Sequence, residues 1–131
     1  AGEGMDPAAW WLWDFDADTP PAALAGDPLW AERFETAPYA GGRVVAGRLG
    51  AGDVFNREHD RILWLRARAG QDCEDMESLA AYRVCRRFDA PCLGLRVISN
   101  NELTGEPYRR EVGEGLQDFI LSVLARWGER M

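Results

Sequence analysis

Arg43-Val44-Val45-Ala46-Gly47-Arg48-Leu49-Gly50-Ala51-Gly52-Asp53 opens the regular part of the chain. Its β-branched pair and small neighbours predict a strand over Arg43–Leu49 that ends in the glycine-rich turn Gly50-Ala51-Gly52-Asp53. The apolar spacing then becomes helical. Asn56 is a predicted N-cap for a helix reaching about Arg68, with Ile62, Leu63 and Leu65 as its apolar side and Gly70 as its stop. Residues 72–76 predict a short strand running straight into a helix over Glu77–Phe88, with Ala80, Ala81, Val84, Cys85 and Phe88 on one face. Pro91 resets the chain, and the apolar run Cys92–Ile98 suits a strand covered on both faces. Leu116, Phe119, Ile120, Val123, Leu124 and Trp127 then follow the spacing of a core-facing helix stripe. Strand and helix alternating in this way imply an α/β domain whose sites lie beyond the carboxyl ends of its strands.

Upstream, residues 1–42 are irregular by composition, and the expected division is 1–42 against 43–131. The first segment holds five of the seven prolines and four of the six tryptophans, so repeating backbone pairing is disfavoured there. Asp27-Pro28 predicts a short helix through Leu29, Trp30 and Phe34, and Gly41-Gly42 closes the segment. The cluster Trp10-Trp11-Leu12-Trp13-Asp14-Phe15 is either core filler or a contact surface, for a partner subunit or for a ligand's apolar end.

Composition narrows the function. A formal charge of -7 argues against nucleic acid as partner. All 15 basic residues are Arg, which excludes a Schiff-base lysine and a Walker-type phosphate lysine. No apolar run approaches the roughly 20 residues that span a bilayer, so no membrane partner is expected. Cys73, Cys85 and Cys92 lack metal-like pairing and read as buried, reduced thiols of a cytoplasmic protein. No metal and no cofactor are expected.

Three polar clusters fall at the predicted strand ends: Gly52-Asp53-Val54-Phe55, Asp75-Met76-Glu77-Ser78 and Ser99-Asn100-Asn101-Glu102. Glu77 stands near a helix amino terminus, where the dipole favours negative charge, and a carboxylate accepts two hydrogen bonds, as the paired hydroxyls of a ribose require. Met76 offers a soft surface to a sugar face; the alternative is a core methionine beside an acidic first helical turn. Asn100 presents donors and an acceptor together, which suits the edge of a heterocycle, or else it serves a turn with Ser99 and Asn101. Phe55 is either a ring for stacking on a base or a core residue. His59, the single histidine, is expected on the solvent side of its helix.

Taken in order and spacing, Gly52-Asp53-Val54-Phe55, Asp75-Met76-Glu77-Ser78-Leu79-Ala80 and Phe88-Asp89-Ala90-Pro91-Cys92-Leu93-Gly94-Leu95-Arg96-Val97-Ile98-Ser99 resemble the nucleoside phosphorylase superfamily. Within it the 5′-methylthioadenosine/S-adenosylhomocysteine nucleosidases are nearest, over about residues 43–128 and weakly over the preceding Trp-rich loop. The resemblance implies a mixed, twisted sheet flanked by helices, and a dimer, trimer or hexamer. It implies cleavage of the N-glycosidic bond of a purine nucleoside, by water or by phosphate. Glu77 would bind the ribose hydroxyls, Met76 would pack on the sugar and Phe55 would stack on the purine. Asn100, aided by Ser99, would stand at the catalytic base-reading position. Many of these nucleosidases carry an Asp there that protonates departing adenine, whereas relatives acting on 6-oxopurines carry Asn. The family's amino-terminal half, with its first glycine-rich strand turn and its water-activating acid, has no counterpart in these residues. Either a missing amino-terminal half or a partner chain is expected to supply it, or the protein is a degenerate relative.

Overall fold

Leu49–Ala51 (β1) and Cys73–Asp75 (β2) pair in parallel, with Leu49 opposite Cys73, Gly50 opposite Glu74 and Ala51 opposite Asp75. A parallel pair requires a crossover, supplied here by the helix His59–Ala69 (α2). Ser78–Arg87 (α3) follows β2, and Val112–Gly128 (α4) closes the order that Pro28–Glu35 (α1) opens. The computed structural model describes residues 24–52 and 55–128, so the Trp10–Phe15 cluster, Asp53 and Val54 lie outside the described residues. Helices with a small parallel sheet agree with the α/β class; among the described residues the sheet is this one pair. No helix of the described residues is long and apolar enough to cross a membrane.

The chain forms two compact units. One contains Gly47–Cys92 with residues 24–25, and the other contains Gly26–Ala46 with residues 93–128.

In the first unit the strand is shorter and later than Arg43–Leu49, because residues 43–48 make no ladder. The pairing begins where Arg48 is gripped. Its N–H donates to Asp72 Oδ2 at 2.8 Å, its guanidinium donates to Ala69 O at 2.7 Å, and its carbonyl accepts from Asp72 N–H at 2.7 Å. Helix α2 starts three residues beyond Asn56. Glu58 is its N-cap residue, without a side-chain cap, while Asn56 instead donates to Glu74 Oε2 at 2.9 Å. Gly70 ends the helix as expected, at φ 67°, where only glycine is unstrained. The expected apolar side is rotated: Leu65 is buried, Leu63 is exposed, and Arg61 turns inward at 3% exposure. Positions 61, 65 and 68 share a helix face, and Leu63 lies two residues, about 200°, around from Arg61. The Arg61 guanidinium lies 4.9 Å from the Trp64 ring. Burial lowers its pKa from the ordinary value, and the Glu74 carboxylate opposes that shift. Helix α3 matches its predicted span within a residue at each end. Its apolar stripe, however, faces outward, with Val84 exposed and Phe88 78% exposed.

The second unit is held by Phe34, Phe119 and Val123, with Tyr39, Val44, Leu93, Leu95, Leu116 and Ile120 packed around them. Asp27 caps α1 by accepting from Trp30 N–H at 3.0 Å, and Pro28 occupies the first turn, where its missing N–H costs nothing. Phe119 meets Phe34 edge-on at 5.7 Å between ring centres and Tyr39 at 4.8 Å. Trp30 and Trp127 meet edge-on at 4.3 Å, with the Arg33 guanidinium 3.8 Å over the Trp127 ring. The α4 stripe read from sequence is thus the core stripe of this unit, although Leu124 is more exposed than the rest. Among the described residues no ladder includes the strand expected over Cys92–Ile98. Exposure alternates from Leu93 to Ile98 in the manner of a strand, and Ile98 is 52% exposed.

A side chain at Gly50 has no room. A Cβ there would lie 2.7 Å from Cδ of buried Gln71, whose amide donates to Glu74 and is not free to swing aside. Gly50→Ala should lower stability by about 1–3 kcal/mol through overpacking. Gly115→Ala, inside α4 and 3.9 Å from the nearest atom, should raise it by up to about 1 kcal/mol. Urea unfolding midpoints that move in the same direction for both would refute this account of the ladder.

Candidate functional site

The parallel register sets the first part of the site. Ala51 and Asp75 are partners, so the segments leaving β1 and β2 start from the same edge, joined further by Gly52 N–H donating to Asp75 O at 3.2 Å. Phe55 leaves β1 on that side and Met76-Glu77 leaves β2. All three are exposed, Phe55 at 55%, and the Arg57 guanidinium stands 5.0 Å from the Phe55 ring.

At the start of α3 two acids divide the labour. Glu77 occupies the N-cap position yet makes no side-chain cap bond; its Oε2 accepts from Met76 N–H at 3.2 Å. Asp75 takes over the capping. Its Oδ1 accepts from Ser78 N–H at 3.2 Å and its Oδ2 accepts from the Ser78 hydroxyl. Asp75 was missed as a cap because it lies two residues before Glu77, the helix-flanking position, although the Asp75-x-x-Ser78 spacing is a local side-chain-to-backbone turn signal. Asp75 takes the first N–H of the helix, and Glu77 stands on the exposed side of the junction.

Ser99 and Asn100 belong to the second unit, where they form a cluster with Glu102. The Ser99 hydroxyl donates to Asn100 Oδ1 at 2.8 Å, and Asn100 Nδ2 donates to Glu102 Oε1 at 2.8 Å. The loop carrying them is braced from within. Arg109 N–H donates to Ser99 O at 2.9 Å, Glu106 N–H donates to Asn101 O at 3.1 Å, and Leu103 N–H donates to Asn101 Oδ1 at 3.0 Å. Asn101 therefore holds the turn, and Asn100 is the asparagine whose amide is half-buried and aimed by neighbours. Among the described residues no paired strand precedes this cluster, whereas the Met76-Glu77 cluster follows β2 directly.

Other candidates take lesser places. His59 opens α2 and is exposed, in line with the expected solvent position. Cys73, Cys85 and Cys92 form no disulfide, and all three are half-buried rather than buried. Burial raises the Cys92 pKa from its ordinary value, helped by a hydrogen bond with the Cys85 thiol. Among the described residues no three of His, Cys, Asp and Glu gather around a point where a metal ion would sit.

Chemically, the sheet edge offers an aromatic ring, a thioether and a carboxylate, and the loop offers an amide held in one orientation. A family model described as the phosphorylase superfamily matches residues 5–126. That match reaches back through the Trp-rich segment, beyond the stretch from residue 43 that the motifs cover. It spans nearly the whole chain, and the chain belongs to the phosphorylase superfamily, a family of nucleoside phosphorylases and nucleosidases.

Proposed function

We propose that the chain binds a purine nucleoside and hydrolyses its N-glycosidic bond, in the manner of a 5′-methylthioadenosine/S-adenosylhomocysteine nucleosidase but with a preference for 6-oxopurine bases. The observation that carries this reading is the register at the sheet edge, where Phe55 and Met76-Glu77 leave paired strands on the same side. Glu77 accepts from the two ribose hydroxyls, Met76 packs on the sugar and Phe55 stacks on the purine. Asn100, with Ser99, hydrogen-bonds the base edge. The C–N bond breaks with its electron pair moving to the base. The oxocarbenium-like sugar left behind is captured by the oxygen of a water, and the proton that this water loses ends on N7 of the departing base. Hydrogen bonds at the base stabilise the charge that develops there, and such pre-aimed donors are commonly a large share of catalysis.

The amide of Asn100 lacks the acidic proton of a carboxylic acid, and general acids contribute about 10²–10⁴-fold. A 6-oxopurine leaving with a proton on N7 presents a donor at N7 beside an acceptor at O6, which one amide matches. Adenine leaving in the same way presents two donors, and a buried amide facing them is left mismatched. The same amide favours a second reading, a nucleoside-binding subunit that has lost the chemistry. Base release measured beside binding separates the two. Either reading takes the chain as part of a cytoplasmic homo-oligomer, supported by exposed Val84 and Phe88 on α3. A strictly monomeric chain in light scattering would count against that.

Glu77→Ala should weaken nucleoside binding at least tenfold, since losing a charged hydrogen-bond partner typically costs about 1.5–3 kcal/mol. Calorimetric titration with unchanged affinity would remove the ribose assignment. In phosphate-free buffer, inosine-type substrates should release base faster than adenosine-type ones, and Asn100→Asp should shift the balance towards adenosine. Base release that requires added phosphate would make the reaction a phosphorolysis. Faster adenosine cleavage by the parent, unaffected by Asn100→Asp, would sink the role of Asn100.

A further inference from the structure

The amide of Asn100 is held at both ends, and the two holders are not equivalent. Ser99 donates from its hydroxyl to Oδ1, and Glu102 accepts from Nδ2, each at 2.8 Å. A hydroxyl both donates and accepts, so Ser99 would satisfy either end of a flipped amide. An ionised carboxylate only accepts, so Glu102 tolerates the NH₂ end alone. The orientation of Asn100 is therefore dictated by Glu102, while Ser99 follows it. What remains for a ligand is one N–H and one lone pair of Oδ1, in a fixed order.

That order matters for a purine. With the N–H towards the 6-substituent and the oxygen towards N7, the amide matches an O6 acceptor beside an N7–H donor. Rotated by half a turn it matches the 6-amino group beside an unprotonated N7, the bidentate contact by which asparagine reads adenine. One residue type thus reads two opposite patterns, and only the group behind it decides which. Glu102 reaches this position because the turn over residues 101–104 brings it back beside Asn100. The turn is fixed by Leu103 N–H and Thr104 Oγ1 on Asn101 and closed by Arg109 N–H on Ser99 O.

We propose that Glu102 is a specificity-determining positioning residue: by accepting from Asn100 Nδ2 it locks the amide in the one orientation that discriminates 6-oxo from 6-amino purines. This rests on the assignment of Asn100 to the base edge. It adds a residue that does not touch the ligand and acts through the asparagine's flip.

The test uses the full chain and the free bases hypoxanthine and adenine, so that binding is read without turnover. Glu102→Gln keeps size and hydrogen bonding but presents either a donor or an acceptor to the amide, releasing the lock. The ratio of adenine to hypoxanthine Kd should favour hypoxanthine in the parent by about tenfold or more, the scale of one mispaired buried group. It should fall towards one in Glu102→Gln, with the better-bound base losing affinity and the other gaining it. A merely structural role would weaken both bases alike. Glu102→Asp, which keeps an acceptor-only group on a shorter arm, should retain part of the preference, and circular dichroism reports whether each variant is folded. A ratio unchanged in Glu102→Gln but abolished in Asn100→Ala would overturn the role of Glu102 and leave the base assignment standing. A parent that binds neither base, or both equally, would overturn the base assignment and this inference with it.

Discussion

Three residue pairs between Leu49–Ala51 and Cys73–Asp75 make a ladder too short to define itself by length, so its register depends on what grips its start. Arg48 and Asp72 supply that grip, exchanging backbone and side-chain hydrogen bonds just before the first pair. Gln71, packed over Gly50, excludes a side chain from the middle of the ladder. A slip by one residue would turn every strand side chain to the opposite face. It would carry Asp75 away from the Ser78 N–H and hydroxyl that it caps, and with it the junction that presents Met76 and Glu77. The sheet edge depends on an ion-bearing clamp that is itself at the surface.

What could be read in advance follows the range of the forces involved. Asp27-Pro28 starts a helix and Gly70 ends one because capping is local chemistry, complete within four or five residues. The stripe from Leu116 to Trp127 was legible because one continuous helix carries the whole period. Residues Cys92–Ile98 have the composition of a strand, but the segment that such a strand would pair with is not written in the run itself. Asn56 had a capping side chain, yet Glu74 from the neighbouring strand end took its amide. Arg61 is buried with its guanidinium over Trp64 while Leu63 faces outward, a rotation that the apolar count alone did not give. At the site, residue types were legible and their orientation was not. Phe55, Met76, Glu77 and Asn100 stand out by chemistry, whereas the roles of Asp75 and Glu102 appear only when the turns around them are closed.

The two acids beside the named site residues illustrate one economy of design. Asp75 takes the Ser78 N–H at the helix start, and Glu77 two residues on makes no side-chain cap bond. Glu102 occupies one end of an amide, so that Asn100 presents a single pattern at the other. In each pair the residue nearer the ligand in the proposed function is set by a carboxylate that remains behind it. Membership of the phosphorylase superfamily gives the chemistry its class. In the proposed function, selectivity within that class would rest on these supporting contacts.

The edge-on meeting of Trp30 and Trp127 has an optical consequence. Two indoles 4.3 Å apart, with planes inclined at 77°, are close enough to couple their excited states. Such coupling gives paired bands of opposite sign in the far- and near-ultraviolet circular dichroism. The Arg33 guanidinium over Trp127 adds a fixed positive charge that shifts the emission of that ring. The junction of α1 with α4 therefore carries its own spectroscopic signature, separate from backbone helicity. Loss of that signature while helical ellipticity persists would report the two helices parting before either unwinds, a distinction between undocking and melting that the chain supplies without any added label.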